Sequence, residues 1–315
     1  MNPDLWVPEW SEMMSIRFDG RVAIVTGAGA GLGRRHALEL AARGASVVVN
    51  DFGGNRDGSG GSSQSALAVV DEIRAAGGVA IANGANVANF DEVQQMVQQA
   101  VEAFGRVDIL VNNAGILRDK TFAKMDVADF HAVMNVHLMG SMHCSRAVWD
   151  LMREQNYGRI VMTTSAAGLY GNFGQANYGA AKMALVGLMN VLHIEGMKYN
   201  VKVNSIAPIA ATRMTEELMP PAVLEAIQPE RVTPGVLFLC SEDAPSRVIL
   251  SAGGGSFAAA TVMEAAPCHF SDSELSPETI AAQFSRIADW STARSHADGN
   301  HEVQLFIGRA LNAAR

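Results

Sequence analysis

The chain has 315 residues, of which 49% are hydrophobic and 18% charged, and its formal net charge is −8. This composition is typical of a globular protein with a large core and excludes a disordered chain. The acidic balance argues against general nucleic-acid binding, which needs a basic face, and no apolar run is long enough to predict a membrane span.

The ends of the chain and its cysteines bear on location. Residues 1–18 are predicted to form an arm, without the basic and apolar regions of a secretory signal. Cys144, Cys240 and Cys268 are far apart and lack CxxC spacing, so neither a disulfide framework nor a metal site is expected. Because the last residues also lack a peroxisomal address of the Ser-Lys-Leu type, a cytoplasmic location is predicted.

From Arg21 onward, short apolar segments rich in β-branched residues alternate with helical stretches. The predicted strands are Arg21–Thr26, Ser46–Asn50, Val79–Ala82, Val107–Asn112, Arg159–Thr164, Val201–Ile206 and Val248–Ser251. The clearest predicted helices between them are Leu32–Arg43, Asp91–Phe104 and Ala180–Lys198. Near-continuous apolar strands separated by helices indicate a parallel sheet that is covered on both faces. We therefore expect an α/β fold of Rossmann type, a doubly wound parallel sheet of about seven strands.

No stretch within the alternating region resembles an interdomain linker, so residues 19–266 are predicted to form one domain. Ser276, Pro277 and Glu278 have the order of a capping residue, a first-turn proline and an acid that begins a helix. The apolar residues Ile280, Phe284 and Ile287 then fall on one face of the predicted helix. Residues 267–315 are therefore predicted to be a C-terminal helical extension that packs on the same domain.

A glycine-rich turn, Thr26–Gly33, joins the first strand to the first helix. Its glycines let a pyrophosphate approach the backbone, and the helix N-terminus offers N–H groups and a positive dipole end. Asp51 ends the second strand, where a carboxylate accepts hydrogen bonds from the adenosine ribose and repels a 2′-phosphate. The pattern predicts a site for NAD, with NADP less favoured. Arg34 and Arg35 leave NADP open, because a guanidinium can hold that phosphate.

Tyr178 and Lys182 form a YxxxK element, which places both side chains on one helix face. A tyrosine, with a pKa of about 10, is a poor base at neutral pH, and a nearby ammonium favours its ionised form. Ser165 lies upstream at a strand end, where its hydroxyl can bind a substrate oxygen. A serine hydrolase is excluded because GxSxG is absent. The three residues predict hydride and proton transfer between an alcohol and a ketone, with Tyr178 as the general base in oxidation.

Together the TGAGAGLG turn, the NNAG segment, Ser165 and the YGAAK element resemble the short-chain dehydrogenase/reductase superfamily, over roughly Arg21 to Gly255. The segments NDFGGNRDGSG and YGRIVMTTSAAGLYGNFGQANYGAAK are similar to the (3R)-hydroxyacyl-CoA dehydrogenase unit of peroxisomal multifunctional enzymes, a type of 17β-hydroxysteroid dehydrogenase. The resemblance implies NAD-dependent oxidation of a (3R)-hydroxyacyl-CoA, with a fatty or steroid side chain. Two alternative activities remain: dehydrogenation of a free hydroxysteroid, and NADPH-dependent reduction of a 3-oxoacyl carrier.

The resemblance also implies contacts with the cofactor. The implied positions run from the pyrophosphate and adenosine end to the nicotinamide end, and they are Gly27, Gly31, Leu32, Gly33, Asp51, Asn86, Val87, Asn113, Ala114, Gly115, Tyr178, Lys182, Pro208, Ile209 and Thr212. Ile209 stands where the superfamily usually has glycine, so it should reshape the pocket beside the nicotinamide. A homodimer or homotetramer, formed by pairing of helices, is also implied.

His137 departs from the superfamily pattern as well. It occupies the place of the asparagine that often belongs to the superfamily's proton relay, in the stretch His137–Gly140. It is interpreted either as a catalytic residue that holds the relay water or as a buried histidine with satisfied hydrogen bonds.

Overall fold

Strands and helices alternate along the chain as the sequence predicts. The computed structural model describes residues 15–55, 57–62, 64–210 and 220–313. Within these residues eight strands form one sheet: β1 Val22–Thr26, β2 Ser46–Asn50, β3 Val79–Asn83, β4 Ile109–Asn112, β5 Gly158–Thr163, β6 Val201–Ile209, β7 Ile249–Gly253 and β8 Ser256–Ala260. All seven predicted strands are confirmed, with ends that differ by up to three residues.

The helices of the described residues connect these strands and continue after them. They are α1 Gly31–Ala42, α2 Gln64–Ala75, α3 Phe90–Phe104, α4 Val127–Met134, α5 Gly140–Gln155, α6 Ala166–Tyr170, α7 Ala176–Gly196, α8 Pro221–Ala226, α9 Thr233–Cys240, α10 Pro277–Ala282, α11 Phe284–Ile287 and α12 Gly299–Ala313. None of them combines the length and apolar composition that crossing a membrane requires.

The strand order is β3-β2-β1-β4-β5-β6-β7-β8, and every pair from β3 to β7 is parallel. The chain runs outward from β1 to β3 and then restarts at β4 on the other side of β1. The doubly wound order is thus confirmed, and it opens a crevice between the carboxyl ends of β1 and β4, where ligands bind in such sheets.

The eighth strand is absent from the sequence prediction. Only Gly254 and Gly255 separate it from β7, and both have positive φ, +58° and +81°. A two-residue connection joins antiparallel strands, and a turn with two positive φ angles favours glycine at both positions. β8 is therefore an antiparallel edge strand on an otherwise parallel sheet.

The core lies between the sheet and its helices. The central strands are apolar and fully buried over Val47–Val49, Ile109–Val111 and Ile160–Met162. Phe18 also belongs to the core, and its N–H donates to the Arg43 carbonyl over 2.8 Å. The predicted arm therefore does not reach residue 18, and its first fourteen residues lie outside the described part.

The chain divides into two compact units between Ala259 and Ala260. In the smaller unit Ser276 begins a helix as predicted, since its Oγ accepts the Thr279 N–H over 3.0 Å. The helix is not continuous, because α10 ends before Gln283 and α11 follows it. The predicted packing of residues 267–315 on the larger unit stays a prediction.

Candidate active site

The crevice at the carboxyl ends of β1, β4, β5 and β6 opens into a cavity of about 680 Å³. Most residues singled out in the sequence line it, from distant parts of the chain. They are Gly27, Gly31, Leu32, Asp51, Asn86, Val87, Asn113, Ala114, Gly115, His137, Ser165, Tyr178, Lys182, Pro208 and Ile209. Gly33 is buried behind the glycine turn, and Thr212 lies outside the described residues.

The glycine turn is built for close approach. Gly27 has φ +61°, and a Cβ there would lie 2.8 Å from the Ala114 Cα. A Cβ on Gly33 would overlap the Gly27 carbonyl oxygen and the Asn113 amide. Ala30, the residue before α1, makes no side-chain cap hydrogen bond to the first N–H groups of the helix. This bare helix start fits a pyrophosphate.

Asp51 is held by the backbone on both sides. Its Oδ2 accepts the Gly29 N–H and its Oδ1 accepts the Gly53 N–H, each over 2.7 Å. A Cβ on Gly29 would lie 2.6 Å from the Ser65 Oγ and 2.8 Å from the Asp51 Cγ. The carboxylate is thereby fixed beside the turn, where the adenosine ribose is expected.

The two arginines that left NADP open are engaged elsewhere. Arg34 forms a two-oxygen ion pair with Glu72, at 2.6 and 2.8 Å. Arg35 lies 3.2 Å from a Glu39 oxygen and 3.6 Å from a Glu230 oxygen. Each guanidinium is therefore already paired with a carboxylate, which competes with a 2′-phosphate.

Thr26 joins the glycine turn to the segment after β4. Its Oγ1 accepts the N–H groups of Asn113 and Ala114, over 3.0 and 3.1 Å. The Asn113 amide in turn donates to the carbonyls of Thr26 and Gly27, over 2.9 and 3.0 Å. The two predicted cofactor segments therefore form one hydrogen-bonded unit.

Ser165, Tyr178 and Lys182 meet where β5 ends and α7 begins. Lys182 is 3% exposed, its Nζ donates to the Thr163 carbonyl, and it lies 5.4 Å from the centre of the Tyr178 ring. Ser165 caps α6 by accepting the Ala167 N–H over 3.2 Å, and it also hydrogen-bonds Tyr178. The predicted trio is thus brought together.

Burial governs the charges of this trio. It lowers the pKa of Lys182 from 10.5 to about 7. It also raises the pKa of Tyr178 above 10, against the smaller, lowering effect of the Ser165 hydrogen bond. The expectation that Lys182 keeps Tyr178 acidic is therefore not met by the chain alone, because desolvation disfavours the tyrosinate.

His137 lies in a π-helical turn, Asn135–Met139, between α4 and α5. Its Nε2 is 3.0 Å from the Ile116 nitrogen and 2.8 Å from the Ile116 oxygen. Its Nδ1 is buried without a hydrogen-bond partner among the described residues. Burial and the charge of Lys182 hold the pKa of His137 well below 6.5, so the imidazole is neutral.

Ile209, which departs from the superfamily pattern, ends β6 at the cavity wall and is half exposed. Gly253 on the neighbouring strand makes room for it, since a Cβ there would lie 2.5 Å from the Ile209 Cβ. The larger side chain thus comes with a paired glycine.

Three buried or hydrogen-bonded residues beside the site were missed in the sequence. Asn177 is buried; its Oδ1 accepts the Tyr178 N–H and its Nδ2 donates to the Arg118 carbonyl. The Ser65 Oγ is buried beside Gly29 and Asp51. Thr26 stood in the glycine motif without an assigned role. The sequence signal for Asn177 was its position immediately before Tyr178 of the YxxxK element.

The chain is similar to proteins of known sequence and structure over most of its length. A family model described as short chain dehydrogenase matches residues 21–222. Peroxisomal multifunctional enzyme A of Dictyostelium discoideum is 50% identical over 301 residues, which cover 95% of this chain and 67% of that protein. A protein named as a short-chain type dehydrogenase/reductase of Mycobacterium tuberculosis is 50% identical over 275 residues, 87% of this chain and 96% of that protein.

The chain spans only part of some longer relatives. The peroxisomal hydratase-dehydrogenase-epimerase of Saccharomyces cerevisiae is 54% identical over 228 residues, 72% of this chain but 25% of that protein. The solved full-length peroxisomal multifunctional enzyme type 2 of Drosophila melanogaster has a TM-score of 0.80 and 36% identity, over 95% of this chain and 51% of that one. A 7α-hydroxysteroid dehydrogenase solved with NADH and 7-oxo glycochenodeoxycholic acid has a TM-score of 0.68 and 34% identity. The match covers 76% of this chain and 95% of that one.

Proposed function

Because the chain belongs to the short chain dehydrogenase family and is an oxidoreductase, we propose that it oxidises a (3R)-hydroxyacyl-CoA to the 3-ketoacyl-CoA with NAD. The observation that carries the chemistry is the meeting of Ser165, Tyr178 and Lys182 in one cavity with the glycine turn. Similarity to the peroxisomal multifunctional enzymes supports the thioester, with a fatty or steroid side chain.

The family uses NAD or NADP, and two features support NAD here. The Asp51 carboxylate is fixed beside the turn by the Gly29 and Gly53 N–H groups, and its charge repels a 2′-phosphate. Arg34 and Arg35 are each committed to ion pairs. A nicotinamide bound in this cavity supplies the hydride acceptor, and the chain supplies position and proton transfer.

In the proposed mechanism each residue has one task. Ser165 donates a hydrogen bond that steadies the substrate oxygen, and Tyr178 accepts the hydroxyl proton at its phenolic oxygen. The raised pKa of Tyr178 must fall for this step, and the ammonium of Lys182 acts in that direction. The Thr163 carbonyl holds Lys182 in place.

A free hydroxysteroid is the second candidate substrate. The solved 7α-hydroxysteroid dehydrogenase holds a steroid acid, and it is 34% identical over 95% of its own chain. Its fold covers only 76% of the present chain, whereas the multifunctional enzyme type 2 covers 95%. The thioester therefore remains the preferred substrate.

A homodimer or homotetramer is proposed through α7. Met183, Val191 and Ile194 are 40, 52 and 42% exposed on this helix, and nothing lies within 4 Å of a Cβ built on Gly187. An exposed apolar helix that leaves space at a glycine suits close pairing with the same helix of a second copy. Light scattering of the wild type and of Ile194→Glu tests this, and a monomeric wild type overturns it. The cytoplasmic location stays a prediction.

A substrate panel tests the function. Formation of NADH or NADPH is followed with (3R)- and (3S)-hydroxyacyl-CoA of graded side-chain bulk and with a free hydroxysteroid; reduction of a 3-oxoacyl carrier by NADPH is the reverse arm. The expected result is the highest kcat/KM for a (3R)-thioester with NAD. A higher kcat/KM for the free steroid or for the carrier reduction would replace the proposal with that activity.

A further inference from the structure

His137 and His36 are the two fully buried histidines among the described residues, each 2% exposed. His36 packs away from the cavity, and its Nδ1 lies 2.9 Å from the Thr233 hydroxyl. His137 lines the cavity from the π-helical turn between α4 and α5. Such turns occur frequently at functional sites, so the burial of His137 needs an explanation that the burial of His36 does not.

One side of the His137 ring is bonded to the backbone after β4. Nε2 faces both the N–H and the carbonyl of Ile116, at 3.0 and 2.8 Å. A neutral imidazole has one N–H, so Nε2 either donates to the carbonyl or accepts from the N–H. In either tautomer the ring stays bonded to Ile116.

The glycine before Ile116 lets the ring approach this closely. A Cβ on Gly115 would overlap the His137 Cε1 and lie 3.1 Å from its Nδ1. The ring therefore packs directly on the backbone of the segment that is proposed to face the nicotinamide ribose. Thr26 anchors the beginning of that segment through Asn113 and Ala114.

The other contact of the ring is with Tyr178. The two ring centres are 5.2 Å apart and the planes are nearly perpendicular, at 87°. Edge-to-face aromatic pairs of this geometry are attractive and directional. His137 thus touches both the segment after β4 and the side chain that is proposed to take the proton.

We infer that His137 is a positioning residue that ties the Gly115–Ile116 backbone to the Tyr178 ring and so sets the phenolic oxygen relative to the cofactor segment. The inference rests on the proposed function, because it concerns the alignment of proton and hydride transfer. It assigns the alignment of Tyr178 to Nε2 and to the contact between the two rings, whereas a role in holding a relay water would depend on Nδ1.

Two amide substitutions separate these roles. Glutamine places its amide group near the position of Nε2, and asparagine places its own near the position of Nδ1. We expect His137→Gln, which keeps a bond to Ile116 but loses the ring contact with Tyr178, to lose less kcat than His137→Asn, which should lose on the order of 10²-fold, as misplaced reacting groups do. The KM for the alcohol should change little in both variants. A kcat in His137→Asn that equals or exceeds the kcat of His137→Gln would overturn the inference.

A second readout needs neither substrate nor cofactor. Hydrogen exchange of the Ile116 amide in the cofactor-free protein should accelerate in His137→Phe, which keeps a ring but loses the bond, and should stay slow in His137→Gln. His36→Phe is the matched control, equally buried and outside the cavity; it should lower the Tm and leave kcat per folded enzyme unchanged. If the Ile116 exchange rate and kcat are both unchanged in His137→Phe, the inference is contradicted.

These results remain distinguishable from failure of the proposed function. If the wild type turns over no hydroxyacyl-CoA, the substrate proposal is wrong. The His137 variants are then compared with the alcohol that the wild type oxidises fastest, and the Ile116 exchange rates are unaffected by the choice of substrate.

Discussion

The ammonium of Lys182 lies 5.4 Å from the centre of the Tyr178 ring, one turn further along α7, and donates to the Thr163 carbonyl at the end of β5. Burial shifts the pKa values of the two groups in opposite directions, down to about 7 for the lysine and above 10 for the tyrosine. The site therefore disfavours the ionised form of each residue, and Tyr178 must be ionised before it can accept the substrate proton.

Tyr178→Phe should reduce turnover by about 10³-fold or more, since general acid–base groups contribute roughly 10²–10⁴-fold and this hydroxyl also binds the substrate oxygen. NAD binding should change little, because the glycine turn and Asp51 are untouched. Steady-state rates and cofactor titration measure both quantities. Tyr170→Phe, at an exposed tyrosine before the same helix, should retain full turnover. Substantial turnover in Tyr178→Phe would refute the assignment.

Lys182→Met should change how stability depends on pH. Below pH 7 the buried lysine is charged in both states, and its desolvation destabilises the folded protein. Between pH 7 and 10.5 the folded form has lost the proton that the unfolded form still binds, so wild-type stability rises with pH. The advantage of Lys182→Met over the wild type should therefore shrink by about 1.4 kcal/mol per pH unit from pH 7 to 9.

Urea denaturation at pH 6, 7, 8 and 9 would measure this difference. Lys198→Met, at an exposed lysine that follows the same helix, is the control and should show no such change. A difference between Lys182→Met and the wild type that is constant across this range would mean that Lys182 is not desolvated.

Cofactor preference should respond to Asp51 and to Glu72 separately. Asp51→Asn keeps an oxygen for only one of the two backbone N–H groups and removes the charge that repels a 2′-phosphate, so the ratio of kcat/KM for NAD over NADP should fall at least tenfold. Glu72→Gln weakens the ion pair that holds Arg34, so it should raise kcat/KM for NADP and leave the value for NAD unchanged. An unchanged ratio in Asp51→Asn would contradict the assignment of this carboxylate.

Gly33→Ala should displace the backbone of the glycine turn. The added methyl group would overlap the Gly27 carbonyl oxygen and the Asn113 amide, which belong to the rigid unit around Thr26. We expect a lower Tm and weaker NAD binding. Gly308→Ala, in a helix where nothing lies within 4 Å of the new Cβ, should lower neither. Normal NAD binding in Gly33→Ala would show that the turn tolerates displacement.

The sequence by itself determined the doubly wound sheet and the chemistry of the site. Strands such as Ser46–Asn50 and the spacing of Tyr178 and Lys182 are local patterns, and so is the glycine turn that follows β1. Residues a few positions apart dictate them through side-chain shape and helical period, which tertiary contacts do not override here.

The tertiary structure decided what depends on distant partners and on desolvation. Arg34 meets Glu72 and His137 meets Ile116 only because separate segments pack together, so no local pattern indicated either contact. The pKa values of Tyr178 and Lys182 moved in directions that follow from burial, which a sequence does not measure. The motif thus named the reacting groups, and packing set their charge and their alignment.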